Sequence, residues 1–390
     1  MENSNNKGKL VALGALFFVA VFAVGGLGGA YMERYLFPRL SENSFFGKFS
    51  FFKNASENVT IINKTEQVTV KEDDSVNQIA SRASTAVVNI VSIDSRAQSA
   101  RGREVRPESI SGTGILVTGD GVIVTYKDTI FESDASYAVL LYNNDKYDAK
   151  LLGIDEFSNL AYLKIEASNL PSIDFANSDD FKPGKKLVSI GNSFSEYQNR
   201  FSAGLLSNIN KSFNLSGKTV ASSEKLEGVF ETDFDNQQNY LGGPVISYGG
   251  SLVGINGKIS IDNQDFFFQI PSNAVKKSLD RVLNGDLEKT PFLGAYYITI
   301  TKEYTLSHDV KKDRGALVFS PSGLSSLAVI DGSPAQKAGL RINDIITAVN
   351  DKNVDLSNPL SNLINQYKKG DQVELTVFRG EEELKIPLQL

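Results

Sequence analysis

The sequence predicts a mainly β protein preceded by one transmembrane helix, and three observations carry that expectation. From about residue 76 the chain is built of short β-branched and aromatic segments separated by turn residues, which argues for a barrel or sandwich and against a βαβ fold. Asp120-Gly121 and Asn143-Asn144-Asp145 have the chemistry of hairpin turns. Ahead of all this, the stretch from Leu10 to Met32 contains no charged residue, and about 20 apolar residues suffice to cross a bilayer as a helix.

Each element follows from its local pattern. Lys7 and Lys9 precede the apolar stretch, and Glu33, Arg34 and Arg39 follow it. With the free amine, the two lysines favour a cytoplasmic N-terminus. A cleaved signal peptide ending near Gly28-Gly29-Ala30 and a buried soluble helix are the alternatives. Residues 33–75 read as a linker, with phenylalanines 45, 46, 49, 51 and 52 before an Asn-rich stretch. The segment SVNQIASRAS reads as a short amphipathic helix leading into the strand AVVNIVSID. The first long helical pattern after the N-terminus is NAVKKSLDRVLNG at residues 273–285, closed by a glycine.

Composition narrows the function. The chain has 390 residues, 41% hydrophobic and 22% charged, enough for two or three domains with their own cores. A net charge of −6, with no run of five basic residues, speaks against nucleic acid. There is no cysteine, so disulfides, thiolate metal sites and a cysteine nucleophile are excluded. No metal or other cofactor is expected. His308 is the single histidine.

The order of motifs from about residue 70 resembles the HtrA family of trypsin-fold serine proteases. Gly112-Thr113-Gly114, the Asp120-Gly121 hairpin and Val124-Thr125-Tyr126-Lys127-Asp128 stand where the family has Gly-Ser-Gly, a hairpin and Val-Thr-Asn-x-His. Asp155 to Lys164 follows the pattern Asp-x-x-x-Asp-Leu-Ala-Val-Leu-Lys. Gly191-Asn192-Ser193-Phe194 and Ser202-Ala203-Gly204-Leu205-Leu206-Ser207 come next. Thr232-Asp233 and Gly242-Gly243-Pro244 then bracket the nucleophile segment, and Val253 to Asn256 and Phe268 to Ser272 complete the match. The resemblance implies a trypsin-like double β-barrel over residues 76–288, after a tail and transmembrane helix at 1–32 and the linker at 33–75.

Serine-protease chemistry needs a hydroxyl, an imidazole and a carboxylate. Matched residue by residue, the histidine position is Asp128, the aspartate position Asn159 and the serine position Leu241. No serine lies between Thr232 and Pro244, and His308 falls in the C-terminal domain as a surface residue. The sequence is therefore expected to be a pseudoprotease and not an enzyme. Asn159 removes the repulsion that a second carboxylate would exert on Asp128, and an Asp128–Asn159 hydrogen bond is expected. The glycine of the oxyanion loop is Asn239, a residue type that tolerates left-handed dihedrals and would keep the loop's shape.

The segment from Asp331 to Leu340, with Asn343-Asp344-Ile345-Ile346, resembles the PDZ domains of HtrA proteins, placing an α/β PDZ domain at 289–390. PDZ domains take an extended peptide at a sheet edge and hold its carboxylate on loop amides. The matching loop is Phe292-Leu293-Gly294-Ala295, YYITI is the edge strand, and Leu360, Leu363 and Ile364 would line the groove. Tyr304 to Ala316 looks like an insertion. The expected function is a membrane-anchored, extracytoplasmic binder of unfolded or C-terminal peptide segments, a homo-oligomer (trimer) or hetero-oligomer with an active relative. An active serine endopeptidase of protein quality control and a PDZ-only membrane adaptor are the alternatives.

Overall fold

The computed structural model describes residues 5–36, 39, 81–94, 108–192, 199–218, 220–322 and 324–390. The chain divides into two compact units, residues 1–71 and 72–390.

The first unit contains helix α1 (Asn5–Tyr31), 27 residues long, followed by a π-type turn at Met32–Leu36. Its described apolar side chains, among them Leu16, Phe17, Phe22 and Leu27, are all exposed. Among the described residues no helix is long and apolar enough to cross a membrane. The transmembrane span expected over residues 10–32 is thus not found as such. A helix forms there, and the side chains at residues 10–13, 18, 23 and 30 lie outside the described residues. The linker lies almost wholly outside the described residues. Of the helix expected over SVNQIASRAS, residues 81–84 are described and are helical.

In the second unit, β1 (Val87–Asp94), β2 (Ser109–Leu116), β3 (Val122–Tyr126), β4 (Ala135–Leu140), β5 (Lys146–Asp155) and β6 (Leu160–Ile165) close into a barrel of order β1-β2-β3-β6-β5-β4. β5 alternates between exposed and half-buried residues, as a strand with one wet face should. β3 is buried at every position, because its second face meets another barrel. There the Tyr126 hydroxyl donates to the Lys258 carbonyl at 2.8 Å, and its ring meets Phe268 edge-on at 6.2 Å.

That other barrel contains β7 (Lys186–Asn192), β8 (Asn199–Asn214), β10 (Glu227–Thr232), β11 (Pro244–Ser247), β12 (Leu252–Ile261) and β13 (Gln264–Pro271). Between β8 and β10 the two-residue strand β9 (Ala221–Ser222) leaves the barrel. Helix α2 (Ser272–Leu283) then buries Val275 and Leu279 and ends where Gly285 takes a φ of 65°. Closure of both barrels removes the open edges that a flat sheet would expose.

The C-terminal part of the chain forms the third sheet: β14 (Tyr296–Thr299), β15 (Ala316–Val318), β16 (Ile345–Val349), β17 (Lys352–Asn353), β18 (Gln372–Arg379) and β19 (Glu382–Gln389). Its order is β19-β18-β16-β15-β14-β9, so β9, coming from the barrel region, is the outermost strand beside β14. The short helices α3 (Lys302–Ser307), α4 (Ser325–Ala328), α5 (Pro334–Lys337) and α6 (Leu360–Ile364) complete it. Helix α3 and the residues before β15 make up the expected insertion, where exposed His308 stacks on Tyr304 with ring centroids 4.1 Å apart.

Candidate functional site

The residues singled out in the sequence fall in two places, a cleft between the barrels and one edge of the third sheet. The cleft, about 510 Å³, is lined by Asp128, Leu241, Asn239, Thr113, Thr129 and Asn192 among others. A short 3-10 turn after β3 carries Asp128, anchored by the Thr129 hydroxyl, which donates to the Tyr126 carbonyl at 2.8 Å. Leu241 follows a 3-10 turn at Gln237–Tyr240, opened by Asn236 in the left-handed region. Gly242 is obligatory after it: at φ 76°, an added Cβ would stand 2.3 Å from Thr125 Oγ1 and 2.5 Å from the Thr113 carbonyl. The expectation for Asn239 needs correcting. The left-handed residues of the loop are Asn236 and Gly242, and the Asn239 N–H donates to the Asn236 carbonyl at 2.9 Å, so it is turned onto its own loop.

Asn159 ends a tight turn in which Asp155 accepts from the Phe157 N–H at 3.0 Å and the Ser158 hydroxyl at 2.9 Å. It is buried and left-handed, at φ 54°. Its carbonyl accepts from the Lys127 N–H at 3.0 Å, so its turn adjoins that of Asp128. The expected Asp128–Asn159 side-chain bond is nevertheless not formed. The bond the Asn159 side chain makes is instead through its acceptor: Oδ1 accepts from Lys225 Nζ at 2.9 Å, a charge-assisted bond.

Lys225 also bonds the Glu156 carbonyl, and its ammonium lies 3.0 Å from Glu156 Oε2. Lys127 approaches the same carboxylate oxygen at 3.1 Å. Burial pushes Glu156 up, but hydrogen bonds and charge from Lys225 and Lys127 overcome it and hold the carboxyl below its ordinary value. Asp128 goes the other way. Lost hydration raises it, Glu132 and Glu156 add to the rise, and Lys127 and Lys258 only partly offset them. The three matched positions thus offer a carboxylate, a carboxamide committed to Lys225, and an alkyl group.

The residues expected to line a peptide groove divide between the core and the surface. Leu293, Ala295, Leu360, Leu363 and Ile364 share one buried apolar cluster, while Phe292 stays 40% exposed at the loop's rim. Gly294 sits at φ 81°, where a Cβ would come within 2.3 Å of Ser333 Cβ. The amides of Leu293 and Gly294 donate to one carboxylate oxygen, Glu224 Oε1, at 3.2 and 2.9 Å. Strand β9 lies antiparallel on β14, with Ser222 opposite Tyr296 and Ala221 opposite Tyr297. The Ser223 N–H donates to the Ala295 carbonyl at 3.0 Å, and Ala221 joins the groove's apolar cluster.

Behind the groove lies Glu227, which is buried. It accepts from the Tyr297 hydroxyl at 2.5 Å and from the Thr299 hydroxyl. Asn362, next to the groove residue Leu363, clamps the Glu227 backbone: its Oδ1 accepts from the N–H at 3.1 Å and its Nδ2 donates to the carbonyl at 2.7 Å. Sequence reasoning missed Glu224, Lys225, Glu227 and Asn362. The one signal for the first two was Ala-Ser-Ser-Glu, small residues leading to a carboxylate, in a stretch where no family motif was matched.

Comparisons with known proteins agree with this architecture. A family model described as trypsin-like peptidase domain matches residues 112–255, and one described as PDZ domain matches residues 299–390. The "Probable periplasmic serine endoprotease DegP-like" of Chlamydia muridarum is 31% identical over 289 residues, 73% of this chain and 55% of the relative. The "Putative serine protease HhoB" of Synechocystis sp. is 27% identical over 275 residues, 70% of this chain and 65% of the relative. The chain spans about half the length of the DegP-like relatives it matches. Among solved structures, "HtrA-type protease AlgW with tripeptide" superimposes with a TM-score of 0.63 at 22% identity, covering 80% of this chain and 95% of the other. These relatives are named serine proteases, which corrects the expectation that the chain is not an enzyme. With a trypsin-like domain followed by a PDZ domain, the chain belongs to the HtrA family.

Proposed function

We propose that this chain is a membrane-anchored HtrA-type protein that binds extended peptide segments, C-terminal tails above all, outside the cytoplasmic membrane. In this reading residues 10–32 are the anchor with a cytoplasmic N-terminus, 33–75 a linker, 76–288 the protease-fold domain and 289–390 the peptide-binding domain. The protein works in a regulatory, chaperone-like or scaffolding role, as a trimer or together with an active relative. The observation that carries peptide binding is the convergence of two loop amides, those of Leu293 and Gly294, on a single carboxylate oxygen. A peptide's terminal carboxylate presents the same group.

The test is fluorescence anisotropy on the full chain in detergent micelles, with a labelled octapeptide of residues 216–223 ending Val-Ala-Ser-Ser. The free acid should bind at least tenfold more tightly than the C-terminal amide. Equal affinities, or no binding of either, would overturn the reading.

The names of the relatives favour a second activity, endopeptidase cleavage. Leu241 has no nucleophilic atom, so in this reading the attacking group comes from another residue. Incubation of the full chain with unfolded casein tests it. Products that disappear in Asp128→Ala would place that carboxylate in the chemistry, and the absence of products would leave binding alone.

A further inference from the structure

We infer that the peptide groove is self-occupied: residues 221–224 of the same chain sit in it as a ligand would, and an outside peptide binds by displacing them. The inference rests on reading the groove as a peptide site. Both elements of this recognition mode, an added strand and a carboxylate on loop amides, are supplied from within. The backbone runs antiparallel to β14 and towards the carboxylate loop, from Ala221 opposite Tyr297, through Ser222 opposite Tyr296, to Ser223 bonded to the Ala295 carbonyl. The Glu224 side chain then delivers a carboxylate oxygen to the Leu293 and Gly294 amides. Ala221 is the side chain turned into the apolar cluster.

The occupant also reports what the groove accepts. The position opposite Tyr297, within the apolar cluster, holds a methyl group, so it suits a small apolar side chain. The next positions are small and polar, and the segment ends in a carboxylate. The competing class is therefore an extended peptide with a small apolar residue a few positions before its C-terminal carboxylate.

The resident strand is held on both sides, which suits a segment that exchanges between two attachments. Asn214 Oδ1 accepts from the Ser222 N–H at 3.1 Å, and its Nδ2 donates to the Ser222 and Lys225 carbonyls at 3.1 and 3.0 Å. Losing β14 would therefore leave the segment anchored to the barrel region. A tethered competitor acts at an effective concentration on the order of millimolar. It lowers the apparent affinity for an outside peptide in proportion to the free fraction of the groove.

The experiment uses the full chain in micelles and the labelled free-acid octapeptide of residues 216–223. Glu224→Ala removes the resident carboxylate and should tighten probe binding at least tenfold. Independently, a double substitution, Ser222→Cys with Tyr296→Cys, places thiols at a paired position of a chain that has no cysteine. Directly opposed residues of antiparallel strands lie within disulfide range. Once thiol titration shows the bond closed, probe binding should be lost, and dithiothreitol should restore it. That oxidised-against-reduced comparison is internal to one protein and does not depend on how Glu224→Ala folds. Unchanged affinity in a folded Glu224→Ala, or binding that survives the closed disulfide, overturns self-occupancy and leaves the groove a peptide site. No binding to wild type, Glu224→Ala or the reduced double variant overturns both readings.

Discussion

Glu227 is the residue whose chemistry most constrains the fold's response to pH. Burial pushes its carboxyl up to about 7 from an ordinary 4.5, although the Thr299 and Tyr297 hydroxyls oppose the rise. Between those two values the native state binds a proton that the unfolded chain has released, so stability falls as pH rises. The full contribution is present below about 4.5 and is lost through about 7, on the order of 3 kcal/mol in all. Urea midpoints between pH 4 and pH 8 should show this decline. Glu227→Gln, which keeps a neutral amide in the same place, should flatten it. Gly242→Ala is a second test at this scale. Its φ of 76° and the 2.3 Å approach to Thr125 Oγ1 predict a loss of about 3 kcal/mol. The positions matched to a triad were legible as residues. Their hydrogen bonds were not, because the partner of Asn159 is Lys225, 66 positions away, and no local pattern announces it.

Among the elements, legibility tracked periodicity. β5 and α2 were readable because burial and exposure repeat along them with a strand's or a helix's period, and β3 because a short β-branched run is bounded by turn residues. β9 was not readable, because two residues have no period and their partner strand begins at Tyr296. The same holds for the clamp between Asn362 and the Glu227 backbone, which joins the edge of the second barrel to the groove helix. Asn362→Ala removes both bonds and leaves a part-buried backbone pair unsatisfied. A loss of about 2 kcal/mol is expected by urea denaturation. Amide exchange should also quicken at Glu227 and along β14, and if it does not, the clamp does not hold the two elements together.

For the whole molecule, the apolar N-terminal stretch makes a prediction of its own. The full chain should float with phosphatidylcholine vesicles on a sucrose gradient, whereas a chain beginning at residue 72 should stay at the bottom. Flotation of both, or of neither, would count against residues 10–32 as the anchor. Within the second unit, Glu224 and Lys225 are consecutive, one seated on the carboxylate loop and the other bonded to Asn159 at 2.9 Å. A single peptide unit thus joins two distant equilibria, and thermodynamic linkage makes their influence mutual. If a tail that expels Glu224 weakens the hold of Lys225 on Asn159 by some factor, then any change that weakens that hold favours the tail by the same factor. Asn159→Leu, made far from the groove, is therefore expected to strengthen tail binding.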